Sequence, residues 1–382
     1  MSTRLSLSNL ALVSALGING SGSNGALDLI FQSNAGTGFT GGNATVFDIK
    51  SSANNTFIVV GDFTHYNGHS APGIIRIFED GTIDYSFNPG TGFNGTPLSI
   101  FYDSISACYW CVGSYTSYNG SSVPSSLVQI NLNGSKGSFN TYYNFGGYTL
   151  LQVIATASDL YVSGGIAKLV RIRKSDGSAQ ATLTTAVSSY SQNSMILSSD
   201  NTKIIIAGLL TVNGYTQYAV AVNADTLTVT SGWSAGLPSI AYSVAGISAT
   251  GQSRTLVGTQ NGPRLLVEST GADVSTFSSA ITNRNMYAIA PVGGNILNTT
   301  FVACDNSYVF EFSQNGHLTP TFDQYRYIFR YGGYAPTMKG IITSSNDGSI
   351  FVVGQFTGVT DTFEANTITT SSGILKLKYS LT

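Results

Sequence analysis

The sequence predicts an all-β fold: a seven-bladed β-propeller of four-stranded antiparallel blades, closed by pairing of its N- and C-terminal strands. Three observations carry that expectation. An apolar, β-branched phrase ending at a small residue recurs seven times. An Asn-Gly or Asp-Gly turn followed by an apolar anchor recurs in step with it. The two series are offset, so that the unit opened near the N-terminus is completed only near the C-terminus.

The phrase reads Val59-Val60-Gly61, Cys111-Val112-Gly113, Val162-Ser163-Gly164, Ile206-Ala207-Gly208, Leu256-Val257-Gly258, Val302-Ala303-Cys304 and Val352-Val353-Gly354. Successive copies are 52, 51, 44, 50, 46 and 50 residues apart, with Cys304 in the glycine's place in the sixth. A period near 50 with a strand in each copy marks a propeller or a solenoid. The first unit holds four strand-like stretches, Thr45–Ile49, Thr56–Gly61, Ile74–Phe78 and Thr82–Phe87, separated by Asn and Gly turns. Four is the strand number of a propeller blade.

The anchors fix the phase. Asp80-Gly81-Thr82-Ile83-Asp84-Tyr85-Ser86-Phe87 is the clearest turn-to-anchor copy, and anchors fall at Phe31, Phe87, Phe139, Leu183, Trp233, Phe277 and Phe322. The strand that should precede Phe31 is missing there, while Gly373-Ile374-Leu375-Lys376-Leu377-Lys378-Tyr379 copies Gly73-Ile74-Ile75-Arg76-Ile77-Phe78-Glu79 at the other end. A solenoid needs caps. A ring instead removes its exposed sheet edge by letting the last strand share a blade with the first segment. Ile374–Tyr379 is therefore expected to pair with Leu27–Phe31, giving a propeller over residues 24–382 behind an N-terminal arm, 1–23.

Val60-Gly61-Asp62-Phe63-Thr64, Tyr66-Asn67-Gly68, Asp80-Gly81-Thr82 and Phe87-Asn88-Pro89-Gly90-Thr91-Gly92-Phe93-Asn94-Gly95 resemble the delta-60 repeat family. The match is specific in the first two units and in Ser345–Phe356, and only the turn and anchor survive across 183–322. The resemblance implies a propeller of the kind found in bacterial surface proteins and phage-encoded proteins. It implies no single activity, because fold does not fix function.

Composition narrows the function classes. Charged residues make up 9% of the chain, against about a quarter in an ordinary soluble domain. Seventeen scattered Lys and Arg and a net charge of −2 give no basic stripe, so nucleic-acid binding lacks its electrostatic footprint. Leu10-Ala11-Leu12-Val13-Ser14-Ala15-Leu16 resembles a weak signal-peptide core. It is too short to span a bilayer, and no membrane span is expected. The preferred reading is an arm whose Leu10, Leu12 and Leu16 bury against a partner or beneath the ring.

Chemistry-bearing residues receive structural readings. Cys108 and Cys111 have C-x-x-C spacing but lie in one strand, Ala107–Gly113, where residues three apart face opposite sides. All three cysteines are expected unpaired. His65 and His69 flank an Asn-Gly turn that recurs without histidine as Ser117-Tyr118-Asn119-Gly120. Gly36-Thr37-Gly38 and Gly90-Thr91-Gly92 lack the Lys-Ser/Thr of a phosphate loop. Arg76, Arg171 and Lys376 hold equivalent places and are expected to form blade-to-blade ion pairs, and Asp62 and Asp305 to bond backbone amides. The loops Ser198–Thr202 and Asn346–Ser349 lack the acidic density of a calcium site. No catalytic set, metal site or cofactor is expected.

Aromatic residues in loops are where binding is expected: Tyr66, Tyr118, Tyr142, Tyr143, Tyr148 and Tyr215, and above all the run from Tyr325 to Tyr334. Alternation there puts Tyr325, Tyr327, Phe329 and Tyr331 on one face and Arg326, Ile328 and Arg330 on the other, with Tyr334 beyond. Tyr and Arg are the residues of protein interfaces. The expected function is a non-enzymatic structural or adaptor component of a phage virion, in its tail, collar or capsid, assembled with other virion proteins or copies of itself. The alternative is a secreted or cell-surface bacterial propeller binding a glycan on the host surface.

Overall fold

The computed structural model describes residues 24–379, apart from 142, 165–167, 184–186, 213–214, 248–252, 275–276, 278, 293–299, 314, 321, 323–326, 333, 362–365 and 369–370. The predicted arm, with Leu10, Leu12 and Leu16, lies outside the described residues.

Each recurring apolar phrase forms the middle strand of an antiparallel sheet. The first sheet is Thr45–Ser51, Thr56–Asp62 and Ile74–Phe78, in that spatial order. The same inner, middle and outer sequence repeats from Thr96–Asp103, Leu150–Ala155, Val187–Leu197, Ala241–Ile247, Ala288–Val292 and Thr337–Thr343. Successive inner strands touch one another, and the last touches the first. The sheets are therefore the blades of a closed ring.

Middle strands are buried on both faces, which is why they read as unbroken apolar runs. In Cys108–Ser114, the side chains of Cys108, Trp110 and Val112 enter one hydrophobic cluster and those of Tyr109 and Cys111 the next. Cys108 and Cys111 are thus on opposite faces, and all three cysteines are free and buried. Seven clusters fill the seven spaces between neighbouring blades. Phe31, Phe87, Leu183, Trp233, Phe277 and Phe322 each belong to a different one, and Phe139 packs against the seventh. The predicted anchors are the wedges between blades.

Two expectations need correction. A full fourth strand, Ala179–Thr182, exists only in the third blade among the described residues. Elsewhere it shrinks to one bridge, such as Ile77 to Ile83 or Ile130 to Lys136. In the first blade the Asp84 carboxylate accepts from the Ser86 amide at 2.9 Å, a turn that ends the strand after one pair.

The second correction concerns closure. Leu27 bridges Leu377, and Gly25 and Asp28 donate backbone hydrogen bonds to Lys378 and Lys376. The N-terminal segment does complete the last blade. However, Leu29–Ala35 is an α-helix, not the end of a strand. Its N-cap is Asp28, whose carboxylate accepts from the amides of Ile30 and Phe31, both at 3.1 Å. Phe31 still reaches its wedge position, from a helix.

The recurring glycine has a packing cause. A Cβ on Gly61, Gly113 or Gly354 would stand 2.2 Å from the carbonyl oxygen of Thr45, Thr96 or Thr337, the first residue of the adjoining inner strand. Just past that contact the inner strand bulges. Register slips at Phe47, Leu98, Leu151, Asn193, Tyr242 and Lys339. The sixth blade, where Cys304 replaces glycine, pairs Ala288 with Cys304 without a slip. Glycine on the middle strand goes with a bulge on the inner one.

Candidate functional site

A β-bulge re-aims a side chain out of the sheet. Here the bulged residues Phe47, Leu98, Leu151, Tyr242 and Lys339 line a central cavity of about 830 Å³, joined by Tyr287 from the unbulged blade. They lie at the ring's front face, the end where inner strands begin and middle strands finish. The collar is aromatic and aliphatic, with one charge. The Tyr242 and Tyr287 rings are 4.9 Å apart, and Asn285 Nδ2 donates to the Tyr287 hydroxyl at 2.9 Å. The Lys339 ammonium stands 5.7 Å from the centre of the Phe47 ring. Lys339 reaches the water of the channel, yet desolvation by the enclosing wall lowers its pKa. Burial likewise raises the Tyr242 hydroxyl, with the charge of Tyr287 adding to it.

Deeper in the channel, Asp48 pairs with Lys50 at 2.5 Å and accepts from the Ile100 amide of the next blade at 3.0 Å. Gln152 similarly accepts from the Met195 amide at 2.6 Å. These side chains cap the open edges of the inner strands.

The tyrosine candidates separate into two groups. Tyr66 and Tyr118 are fully buried, contrary to the loop-binding expectation. Each sits in a two-residue hairpin with an Asn-Gly turn and donates its hydroxyl to a turn carbonyl, Gly81 at 2.8 Å and Gly134 at 2.6 Å. Tyr143 packs on Phe145 at 4.8 Å, and Tyr142 lies outside the described residues. Tyr148, Tyr215 and Tyr334 project from the front face, exposed by 41%, 73% and 81%. Tyr143 and Tyr148 also line a front-face pocket of about 350 Å³ with Asn94, Thr116 and Asn144.

The predicted run is only partly an exposed face. Tyr325 and Arg326 lie outside the described residues, as does the side chain of Tyr327. Tyr327–Arg330 pairs with Gly358–Asp361. Phe329, expected on the binding face, is 2% exposed and packs edge-on against Phe356 at 5.0 Å. Arg330 is exposed and donates to Thr360 at 2.9 Å, and the Tyr331 hydroxyl accepts from Gln355 at 3.0 Å. Sequence reasoning missed the channel collar. Its signal was the column Phe47, Leu98, Leu151, Asn193, Tyr242, Tyr287 and Lys339, aligned between two core positions, with a single cation among mostly apolar residues.

Most other charges are spent on structure. Arg76 pairs with Asp84 at 2.8 Å, and Lys376 with Asp28 at 3.3 Å, each within its own blade instead of between blades. Their link to the next blade runs through neutral oxygens: Arg76 donates to the Leu132 carbonyl at 2.6 Å and the Tyr109 hydroxyl at 3.1 Å, and Lys376 to the Glu79 carbonyl at 3.3 Å. Arg171 does bridge blades, to Asp159 at 3.0 Å and Asp225 at 3.2 Å. Asp62 accepts from the Asn43 amide and Asp305 from those of Ser307 and Tyr308, as expected. Asp200 is tied up by Ser198 and Thr202, which bring its pKa to about 2. A groove of about 730 Å³ on the back face holds Arg171, Arg173 and Lys174, each already paired with a carboxylate. Among the described residues no group of three His, Cys, Asp or Glu could hold a metal ion, and no helix is long and apolar enough to cross a membrane.

Comparison with known proteins agrees with this architecture. Residues 53–87 match the family described as "Domain of unknown function (DUF5122) beta-propeller". The WD40 propeller domain of Doa1 is similar at a TM-score of 0.60 and 14% identity, over 89% of this chain and 95% of that one. The extracellular domain of the putative one-component system BT4673 from B. thetaiotaomicron is similar at 0.57 and 11% identity, over 91% of this chain and 40% of that one. No curated protein matches. At these identities the likeness concerns fold alone. The chain is a β-propeller with one segment that matches the DUF5122 propeller family.

Proposed function

We propose that the protein is a non-enzymatic structural or adaptor component of a phage particle, in its tail, collar or capsid, held in place by contacts through its front face. The observation that carries the reading is the pair of tyrosines held out from that face, Tyr215 at 73% and Tyr334 at 81% exposure. Tyrosine offers large, rigid contact area and is enriched where proteins meet. A chain with 9% charged residues has few charges to desolvate when it packs. The particle setting is suggested by the sequence resemblance of residues 60–95 to the delta-60 repeats, which implies a propeller of the kind found in phage-encoded and bacterial surface proteins. The test is incorporation of a Tyr215→Ser/Tyr334→Ser double variant into particles released by the native host, read by mass spectrometry of gradient-purified fractions. The parent chain is expected in the particle fraction, and the variant in the soluble fraction with an unchanged Tm. Absence of the parent from purified particles would overturn the particle setting.

The front-face pocket favours a second reading, a surface module binding glycans. Tyr143 and Tyr148 beside Asn94 and Asn144 combine aromatic faces with amides, groups that stack on and hydrogen-bond to sugar rings. Binding on a glycan array that is lost in Tyr148→Ala would select it over the first.

A further inference from the structure

We propose that the front mouth of the central channel is a binding site for a small anion with a flat apolar body, such as an aromatic carboxylate or sulfonate, with Lys339 as its counter-charge. Three observations carry this, and none depends on the partner reading above.

The first is chemistry. The collar residues Phe47, Leu98, Leu151, Tyr242 and Tyr287 form an apolar, aromatic wall, and Lys339 alone among them is charged. Ligand sites are concave and mostly apolar, with a few placed polar groups that orient the ligand. The mouth opens into a channel of about 830 Å³ that runs on to Ser51, Leu197 and Thr343, and ligand sites take roughly 300–1,000 Å³.

The second is the unspent charge. Eight other Lys and Arg side chains are in ion pairs with carboxylates among the described residues. Lys339 stands over the Phe47 ring, and no carboxylate acts on it among the described residues. Asp48, in the same channel, is neutralised by Lys50 and held by the Ser99 hydroxyl and the Ile100 amide. A cation in a partly desolvated wall attracts an anion more strongly than one in open water, because the local dielectric is lower.

The third is placement. Lys339 owes its position to the bulge between Met338 and Gly340, where it is the extra residue of the pair. The same bulge falls on apolar residues at Phe47, Leu98, Leu151 and Tyr242 and on neutral Asn193 in the fourth blade, so Lys339 is the one charge among these bulged positions. Among the described residues no carboxylate pairs with it, and its contact with the Phe47 ring is made from inside the channel.

The probe is 8-anilinonaphthalene-1-sulfonate, titrated against the full chain by fluorescence and calorimetry, with neutral N-phenyl-1-naphthylamine as control. One saturable site per chain is expected for the sulfonate. Lys339→Met should weaken it at least tenfold, Lys339→Arg no more than about threefold, and the neutral analogue should bind the parent at least tenfold more weakly. Circular dichroism and Tm should match the parent in both variants, since among the described residues Lys339 is in no ion pair and its end lies in the channel. The proposal fails if the parent shows no saturable site, if Lys339→Met binds as tightly as the parent, or if the neutral analogue binds equally well.

Discussion

Asp103 and Glu311 are buried carboxylates, 3% and 1% exposed, and their surroundings drive them in opposite directions. Burial raises the Asp103 pKa, but hydrogen bonds from Lys174, Trp110 and Ser106 outweigh it and bring the group to about 2. Burial dominates at Glu311, and the Tyr379 hydroxyl offsets only part of the rise. A depressed carboxyl contributes stability that is complete above the unfolded value, about 4, and is lost as pH falls through the folded one. Asp103 should therefore contribute about 2 kcal/mol that disappears between about pH 4 and pH 2. Asp103→Asn is expected to flatten that part of the stability curve, as read by urea unfolding at each pH; an unchanged acid limb would remove Asp103 from the account. Glu311 works the other way, its contribution being present below the unfolded value and lost as pH rises through the folded one. Charge is sparse in this chain, and the few ionic groups on the back face act as fasteners.

At the scale of strands, the glycine column and the bulge column are two sides of one contact. A methyl group on Gly61 would meet the Thr45 carbonyl at 2.2 Å, and backbone cannot swing aside as a flexible side chain can. Gly61→Ala should cost about 1–3 kcal/mol, the range for forcing extra atoms into a packed site. An accompanying shift of the Phe47 resonances is expected, since the bulge must move. An unchanged Tm would refute the coupling. Much of this level was legible in the sequence. The seven wedges and the alternation that separates Cys108 from Cys111 follow from periodicity alone. What was not legible had local causes. Asp28 turned a strand end into a helix through its side-chain cap, and Asp84 cut the fourth strand short. Tyr66 and Tyr118 looked like loop residues, but their hairpins fold back over the blade and bury them. The collar was hidden because each bulge adds one residue and breaks the alternation from which facing is read.

At the scale of the whole ring, stability depends on a clasp of a few residues. Leu27 and Leu377 form its bridge, and Lys378 donates to Ala26 while Gly25 donates back to Lys378. Removing residues 373–382 would strip the outer partner from Ile350–Gln355 and leave that strand's edge open. The shortened chain is expected to elute as aggregates in size-exclusion chromatography, and a monomer with the parent's Tm would mean the ring does not need its clasp. The direction of the clasp has a mechanical consequence. Its two segments run antiparallel, so residue 24 lies beside residue 379 and both can be gripped from one side. Tension applied between them loads the hydrogen bonds one after another, like a zipper, instead of all together in shear. A ring held by seven packed interfaces should thus open at low force when pulled by these two points, releasing its last blade first and the other six only afterwards.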